Sequence, residues 1–126
     1  VNVVDSCGWL EYLADGPNAD FFAPALESPP DLVVPTISVY EVFKRVLQQR
    51  GESDALQAVA LMQQGSIADL TPPLALEAAR TSLALGLPMA DSIVLVTARE
   101  CSALLWTQDS DFEGVEGVRY VPAQSA

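Results

Sequence analysis

The chain of 126 residues is half hydrophobic and 18% charged, which gives one globular domain with a real core and excludes disorder. It contains no histidine, which removes Ser-His-Asp and Cys-His catalysis, histidine-based RNA cleavage and histidine-ligated zinc. Its formal net charge is −11, with 6 basic residues against 17 acidic ones, so it repels nucleic acid unless cations or a local basic cluster intervene. No apolar run is long enough to span a bilayer. Val1 to Val4 leads straight into an aspartate, with no basic or long apolar leader. The expectation is a cytoplasmic protein without a signal peptide. Cys7 and Cys101 lie far apart and are expected as reduced, buried thiols, with a disulfide left open.

In chain order, Asn2-Val3-Val4-Asp5 reads as a short strand ending in a carboxylate. Ser6 is placed to cap a helix through Trp9, Leu10 and Leu13. Asp15-Gly16-Pro17-Asn18 is a turn, and Ala19 to Leu26 a second helix broken by Ser28-Pro29-Pro30. Leu32-Val33-Val34 is a strand closed by Pro35. Thr36 is placed to cap a long helix that reaches Arg50 and stops at Gly51. Its expected apolar face is Val39, Tyr40, Phe43, Val46 and Leu47. A helix from Ser53 or Asp54 runs through Leu56, Val59, Ala60 and Met62 to near Gly65, and Ile67 to Leu70 reads as a third strand. Thr71-Pro72-Pro73 opens a helix through Leu76, Ala79 and Leu83 to Gly86, with proline where its missing N–H costs nothing.

The stretch from Leu87 to Phe112 organises the rest. Asp91 falls in or beside the first turn of an almost continuously apolar helix through Ile93, Val94, Val96, Thr97 and Ala98, which must be buried. Ala103 to Trp106 is right for a buried parallel strand, and Thr107-Gln108-Asp109-Ser110-Asp111 follows as a polar turn. Arg119-Tyr120-Val121 is a last strand, with a loose tail at 122–126. Strands alternating with helices predict a three-layer α/β/α single domain over 1–126, with a mainly parallel central sheet.

Each carboxylate has a plain reading when taken alone. Asp5 suits a helix N-cap. Glu41 suits a surface ion pair with Lys44 or Arg45, worth only ~0.3–0.5 kcal/mol. Asp91 suits a helix dipole, and Asp109 and Asp111 suit a turn. Together they say more. Asp5 and Asp109 follow strands, Glu41 and Asp91 lie near helix starts, and in a parallel sheet these places share one edge, where ligands bind. Ionised carboxylates gathered there take up protons or a cation. Oxygen ligands without histidine or thiolate favour Mg²⁺ or Mn²⁺ over zinc, and such a site suits phosphate chemistry by metal-activated water.

The ordered set VVD, ISVYEV, LPMADSIVLVTA and LLWTQDSDF resembles a PIN domain over nearly the whole chain, most closely the VapC-type toxins of bacterial toxin–antitoxin pairs. The resemblance implies a metal-dependent endoribonuclease with Asp5, Glu41, Asp91 and Asp109 as its acidic site. Asp5, Asp91 and Asp109 would hold the metal, with Glu41 acting through water. It makes Asp111, Thr107 and Ser6 auxiliary, and it implies a homodimer and a small antitoxin partner; in-line attack by metal-activated water is expected to leave 5′-phosphate products. Lys44 and Arg45, on the helix of Glu41, are the candidates for contacting RNA phosphates; a solvated helix face is the plainer reading. Trp9, Tyr40, Phe43 and Trp106 read as core or dimer contacts.

Rival readings fail at particular positions. A receiver-type phosphoacceptor domain needs an acidic pair at the first strand and a late lysine, but Ser6 and Cys7 follow Asp5 and the one lysine is Lys44. A haloacid-dehalogenase-type phosphatase needs an aspartate, and a metal-dependent adhesion module a serine, where Cys7 stands. The serious alternative is a PIN-like module that binds RNA or protein without cutting.

Overall fold

Among the described residues, five short strands alternate with six α-helices, and that alternation dictates the layers. β1 (Asn2–Val4), β2 (Leu32–Pro35), β3 (Ser66–Ala68), β4 (Leu104–Thr107) and β5 (Val118–Tyr120) form one sheet in the order β3-β2-β1-β4-β5. Every neighbouring pair is parallel. The helices are α1 (Ser6–Leu13), α2 (Ala19–Leu26), α3 (Thr36–Arg50), α4 (Glu52–Met62), α5 (Pro72–Leu85) and α6 (Met89–Glu100). The computed structural model describes residues 1–125. The chain builds outward from β1 to β2 and β3, then returns to lay β4 on the other flank of β1. Such a reversal opens a crevice at the carboxyl ends of the two central strands.

Successive strand residues point to opposite faces, so the sheet needs cover on both. Val4, Leu32, Val34 and Trp106 share a cluster with Trp9, Phe22, Val42 and Met62 from the first four helices. Val3 and Leu105 pack with Val94 and Leu95 of α6 and with Phe112. A smaller cluster of Ala78, Ile93 and Val96 joins α5 to α6. Gly8 is what allows α1 to lie so close to the sheet: a Cβ there would sit 2.6 Å from both Val4 and Phe22 side-chain atoms. Among the described residues, no single helix is long and apolar enough to cross a membrane. Cys7 and Cys101 are both free thiols.

The expected three-layer α/β/α arrangement is the observed one, but several local readings are corrected. Asp5, not Ser6, caps α1: its side chain accepts the Ser6 N–H and Ser6 is the first helical residue. Thr36 does not cap α3; its hydroxyl donates to the Ala68 carbonyl at 3.0 Å and ties α3 to the end of β3. The buried positions of α3 are Ser38, Val42 and Val46, while Tyr40 and Leu47 are exposed. In α4 they are Ala55, Ala58 and Met62, and Leu56 is exposed.

In α5 the small residues Ala78 and Thr81 face the protein, and the stripe Leu76, Ala79 and Leu83 faces solvent, with Leu83 89% exposed. Two apolar stripes compete on that helix, and the small one wins because α5 packs onto the wide side chains of Ile93 and Val96. The segment from Pro122, expected to be loose, makes two hydrogen bonds to Asn18 through the Pro122 carbonyl and the Gln124 amide. Residue 126 lies outside the described residues.

Candidate active site

Each site carboxylate is delivered by a different element to the crevice at the carboxyl ends of β1 and β4. Asp5 follows β1 directly and is 3% exposed. Its Oδ1 accepts the Ser6 N–H at 2.9 Å. Its Oδ2 accepts the Thr107 hydroxyl at 3.0 Å and the Cys7 thiol at 3.5 Å. Asp109 follows β4, where its N–H donates to Thr107 Oγ1 at 3.0 Å and its Oδ1 accepts the Asp111 N–H at 2.9 Å. Asp91 comes from the first turn of α6, the helix that leads into β4. One carboxylate oxygen from each of Asp5, Asp91 and Asp109 lies within 4.8 Å of the other two.

The electrostatics follow from that crowding. Burial pushes Asp5 up from 3.8 to about 6, against the hydrogen bonds from Thr107, Ser6 and Cys7, which favour its charge. Asp91 is pushed up from 3.8 to about 8 by burial and then by the charges of Asp5 and Asp109. Its hydrogen bond with Asp109 also favours the protonated form, with Asp91 as donor. Without a counter-charge, the cluster therefore holds a proton at Asp91. A divalent cation is the natural replacement for that proton.

The remaining predicted residues fall around this core. Glu41 is half-buried on α3; its charge is felt at Asp5, but it is not one of the three carboxylates that converge. Asp111 is exposed and acts on the cluster through its backbone N–H and its charge. Thr107 is the last residue of β4, not part of the turn, and is fully buried with its hydroxyl between Asp5 and Asp109. Ser6 contributes its N–H. Lys44 and Arg45 are exposed on α3, and the Lys44 ammonium sits 5.7 Å from the Tyr40 ring centroid. Among the described residues the one salt bridge joins Arg80 to Glu77, so neither cation pairs with Glu41.

Two participants have no obvious signature in the sequence. Cys7, read as a small hydrophobe, bonds Asp5 and lies 3.4 Å from Thr107 Oγ1. Its position two residues after Asp5, on the first turn of α1, was the available signal. Burial and the Asp5 charge push its thiol up to about 12, so it stays protonated. Asn18, read as part of a turn, is buried and bonded to Gln108, the residue between Thr107 and Asp109.

The PIN domain family model matches residues 3–118. Solved structures share the fold at low identity. A toxin–antitoxin complex from Klebsiella pneumoniae superposes with a TM-score of 0.79 at 20% identity, covering 94% of this chain and 96% of that one. Mycobacterium tuberculosis VapC20, a sarcin-ricin loop cleaving toxin, gives 0.77 at 15% identity over 92% and 95%. DNA-bound VapBC from Salmonella typhimurium gives 0.72 at 13% identity over 95% and 96%. No curated protein sequence matches the chain.

Proposed function

Since this chain belongs to the PIN-domain family, we propose that it is a divalent-metal-dependent endoribonuclease and the toxin half of a toxin–antitoxin pair. The observation that carries this reading is the convergence of Asp5, Asp91 and Asp109 oxygens within 4.8 Å at the sheet's switch point. Oxygen donors alone, with the neighbouring Cys7 held as a thiol, suit Mg²⁺, with Mn²⁺ as substitute. The raised Asp5 and Asp91 carboxyls are what such an ion would relieve, so the residues fit the group. Asp5, Asp91 and Asp109 would hold it directly and Glu41 through water. When bound, the ion supplies Lewis-acid polarisation of a phosphodiester oxygen and makes water a nucleophile near neutral pH.

The chain's own residues do the positioning. Ser6 N–H and the Thr107 hydroxyl hold both oxygens of Asp5, and Asp111 N–H holds Asp109. Glu41, at the margin of the cluster, is the base assigned to the attacking water. Lys44 and Arg45 contact phosphates on either side of the cut. In-line attack leaves a 5′-phosphate and a 3′-hydroxyl.

The partner reading is supported by a largely apolar groove of about 370 Å³, lined by Leu10, Leu13, Val46, Ala58 and Leu61 together with Arg50 and Asp54. It lies between α1, α3 and α4, and Tyr40, Leu47 and Leu56 do not line it. An antitoxin arm seated there would send an arginine into the acidic crevice, where bidentate pairing with carboxylates competes with the metal. A homodimer is part of the same proposal.

The test is cleavage of single-stranded or looped RNA by purified protein in Mg²⁺ or Mn²⁺, with EDTA as the stop. Expected products carry a 5′-phosphate. Cyclic phosphate ends, or full activity in EDTA, would reject the mechanism. RNA binding with no cutting in any divalent ion would favour the non-catalytic module.

A further inference from the structure

We infer that Asn18, acting through Gln108, positions the Asp109 turn and so sets the affinity of the acidic crevice for its metal; this rests on the metal reading above. Asn18 is 4% exposed, and every polar atom of its side chain is engaged. Its Nδ2 donates to Gln108 Oε1 at 2.9 Å and to the Pro122 carbonyl at 2.9 Å. Its Oδ1 accepts from Gln124 Nε2 at 2.8 Å, and its backbone N–H donates to Glu11 Oε2 at 2.7 Å. A buried amide with both N–H groups on acceptors cannot turn over, because the oxygen would then face two oxygens. Asn18 is therefore a fixed post, standing on the α1–α2 connection.

What it holds is the backbone of the site. Gln108 lies between Thr107, whose hydroxyl bonds Asp5, and Asp109, whose N–H bonds that same hydroxyl. The Gln108 N–H also faces the Cys7 thiol, itself on Asp5. Beyond Thr107 the chain leaves the sheet, and the turn has to hold Asp109 close to two carboxylates that repel it. The Gln108 side chain, pinned by Asn18, anchors the residue between Thr107 and Asp109 against that repulsion. Without it, the turn is held only by the bonds of the Asp109 N–H to Thr107 and of the Asp111 N–H to Asp109, and the Asp109 carboxylate is less firmly kept beside Asp5 and Asp91. Groups that orient metal ligands typically change affinity about 10–100-fold when removed.

The experiment measures Mn²⁺ affinity by electron paramagnetic resonance of the free ion, beside RNA cleavage and amide hydrogen exchange of the metal-free protein. Asn18→Ala and Gln108→Met should each weaken Mn²⁺ binding about 10-fold or more. The double variant should be no worse than the weaker single, since both remove one link. Exchange at the Asp109 N–H should quicken in both before any metal is added. Saturating Mn²⁺ should restore cleavage to near the wild-type rate. Gln124→Ala, which loses only the tail's bond to Asn18, should keep wild-type affinity. Gln108→Met carries the test by itself if Asn18→Ala fails to fold. Unchanged Mn²⁺ affinity in Gln108→Met, with the wild type binding normally, overturns the positioning role and leaves the metal reading intact. A wild type that binds no Mn²⁺ overturns both.

Discussion

Thr107 Oγ1 lies 3.0 Å from Asp5 Oδ2 in a buried hydrogen bond that spans 102 positions of sequence. Thr107 closes β4 and Asp5 follows β1, so the bond joins the two central strands at their carboxyl ends. The same hydroxyl oxygen accepts the Asp109 N–H at 3.0 Å. One side chain thus fixes the relation between two carboxylates of the cluster.

Thr107→Val keeps the shape and removes the hydroxyl. The bond favours ionised Asp5, so its loss should move the Asp5 carboxyl further up and shift the acid limb of the cleavage profile to higher pH. Leaving the buried carboxyl one donor short should also cost about 1–3 kcal/mol of stability. Thr107→Ser should restore both. A pH–rate profile for Thr107→Val that overlays the wild type would show that the hydroxyl does not govern Asp5.

Stability without metal should fall as pH rises. Asp5 and Asp91 have folded pKa values, about 6 and about 8, above the 3.8 of the free carboxyl. The unfolded chain therefore loses its protons first, and the stability these groups lend is complete only below about pH 4. It drains away through pH 6 and then pH 8. In EDTA the melting temperature should decline across that window, and Asp91→Asn should flatten the upper part by about 4 °C. Mg²⁺ should raise the melting temperature more at pH 8 than at pH 5; at 100 times its dissociation constant a ligand adds roughly 2.7 kcal/mol of stability. Differential scanning fluorimetry with ionic-strength-matched NaCl checks this; equal responses to the two salts would mean general screening.

Substitution of the carboxylates should split into two grades. Asp5→Asn, Asp91→Asn and Asp109→Asn each remove one of three converging ligands, so cleavage should drop at least about 10³-fold with the fold retained. Glu41 stands outside that convergence, and Glu41→Gln should cost a smaller factor, about 10²-fold, mostly in kcat. Single-turnover cleavage with saturating Mg²⁺ distinguishes the grades. Wild-type rates in both Asp5→Asn and Asp91→Asn would mean the site is elsewhere.

Residues with strong local punctuation were legible from sequence. Ser28-Pro29-Pro30 closes α2 and Gly51 stops α3, since proline and glycine act through their own backbone. The acidic cluster was legible too, because a parallel sheet sends strand ends and helix starts to one edge whatever packs beneath. What escaped depends on partners distant in sequence. Asp5 is both the cap of α1 and a member of the acidic cluster, which made Ser6 the apparent cap. Asn18 looked like turn chemistry because its partners Gln108, Pro122 and Gln124 are 90 to 106 positions away. On α5 the sequence reading followed Leu76, Ala79 and Leu83, and packing against α6 covers Ala78 and Thr81 instead.

That exposed stripe leads to the last prediction. Leu76, Ala79 and Leu83 follow one another along α5 beside the mutually paired Glu77 and Arg80, and no charged residue occurs from Thr81 to Ala90 on a chain of net charge −11. Self-association of so acidic a chain is opposed everywhere except at a neutral apolar face. The proposed homodimer should therefore use this face. In a two-fold interface each substitution acts twice, so Leu83→Asp removes two buried leucines and adds two like charges near the axis. Burying one leucine is worth about 1.5–3 kcal/mol, so the dimer constant should weaken by at least about 100-fold. The monomer should keep its melting temperature, because Leu83 is 89% exposed and touches no core cluster. Sedimentation equilibrium beside a thermal scan reads both quantities. A Leu83→Asp dimer as tight as the wild type would place the interface on another face, and a large fall in melting temperature at high dilution would mean that Leu83 supports the fold itself.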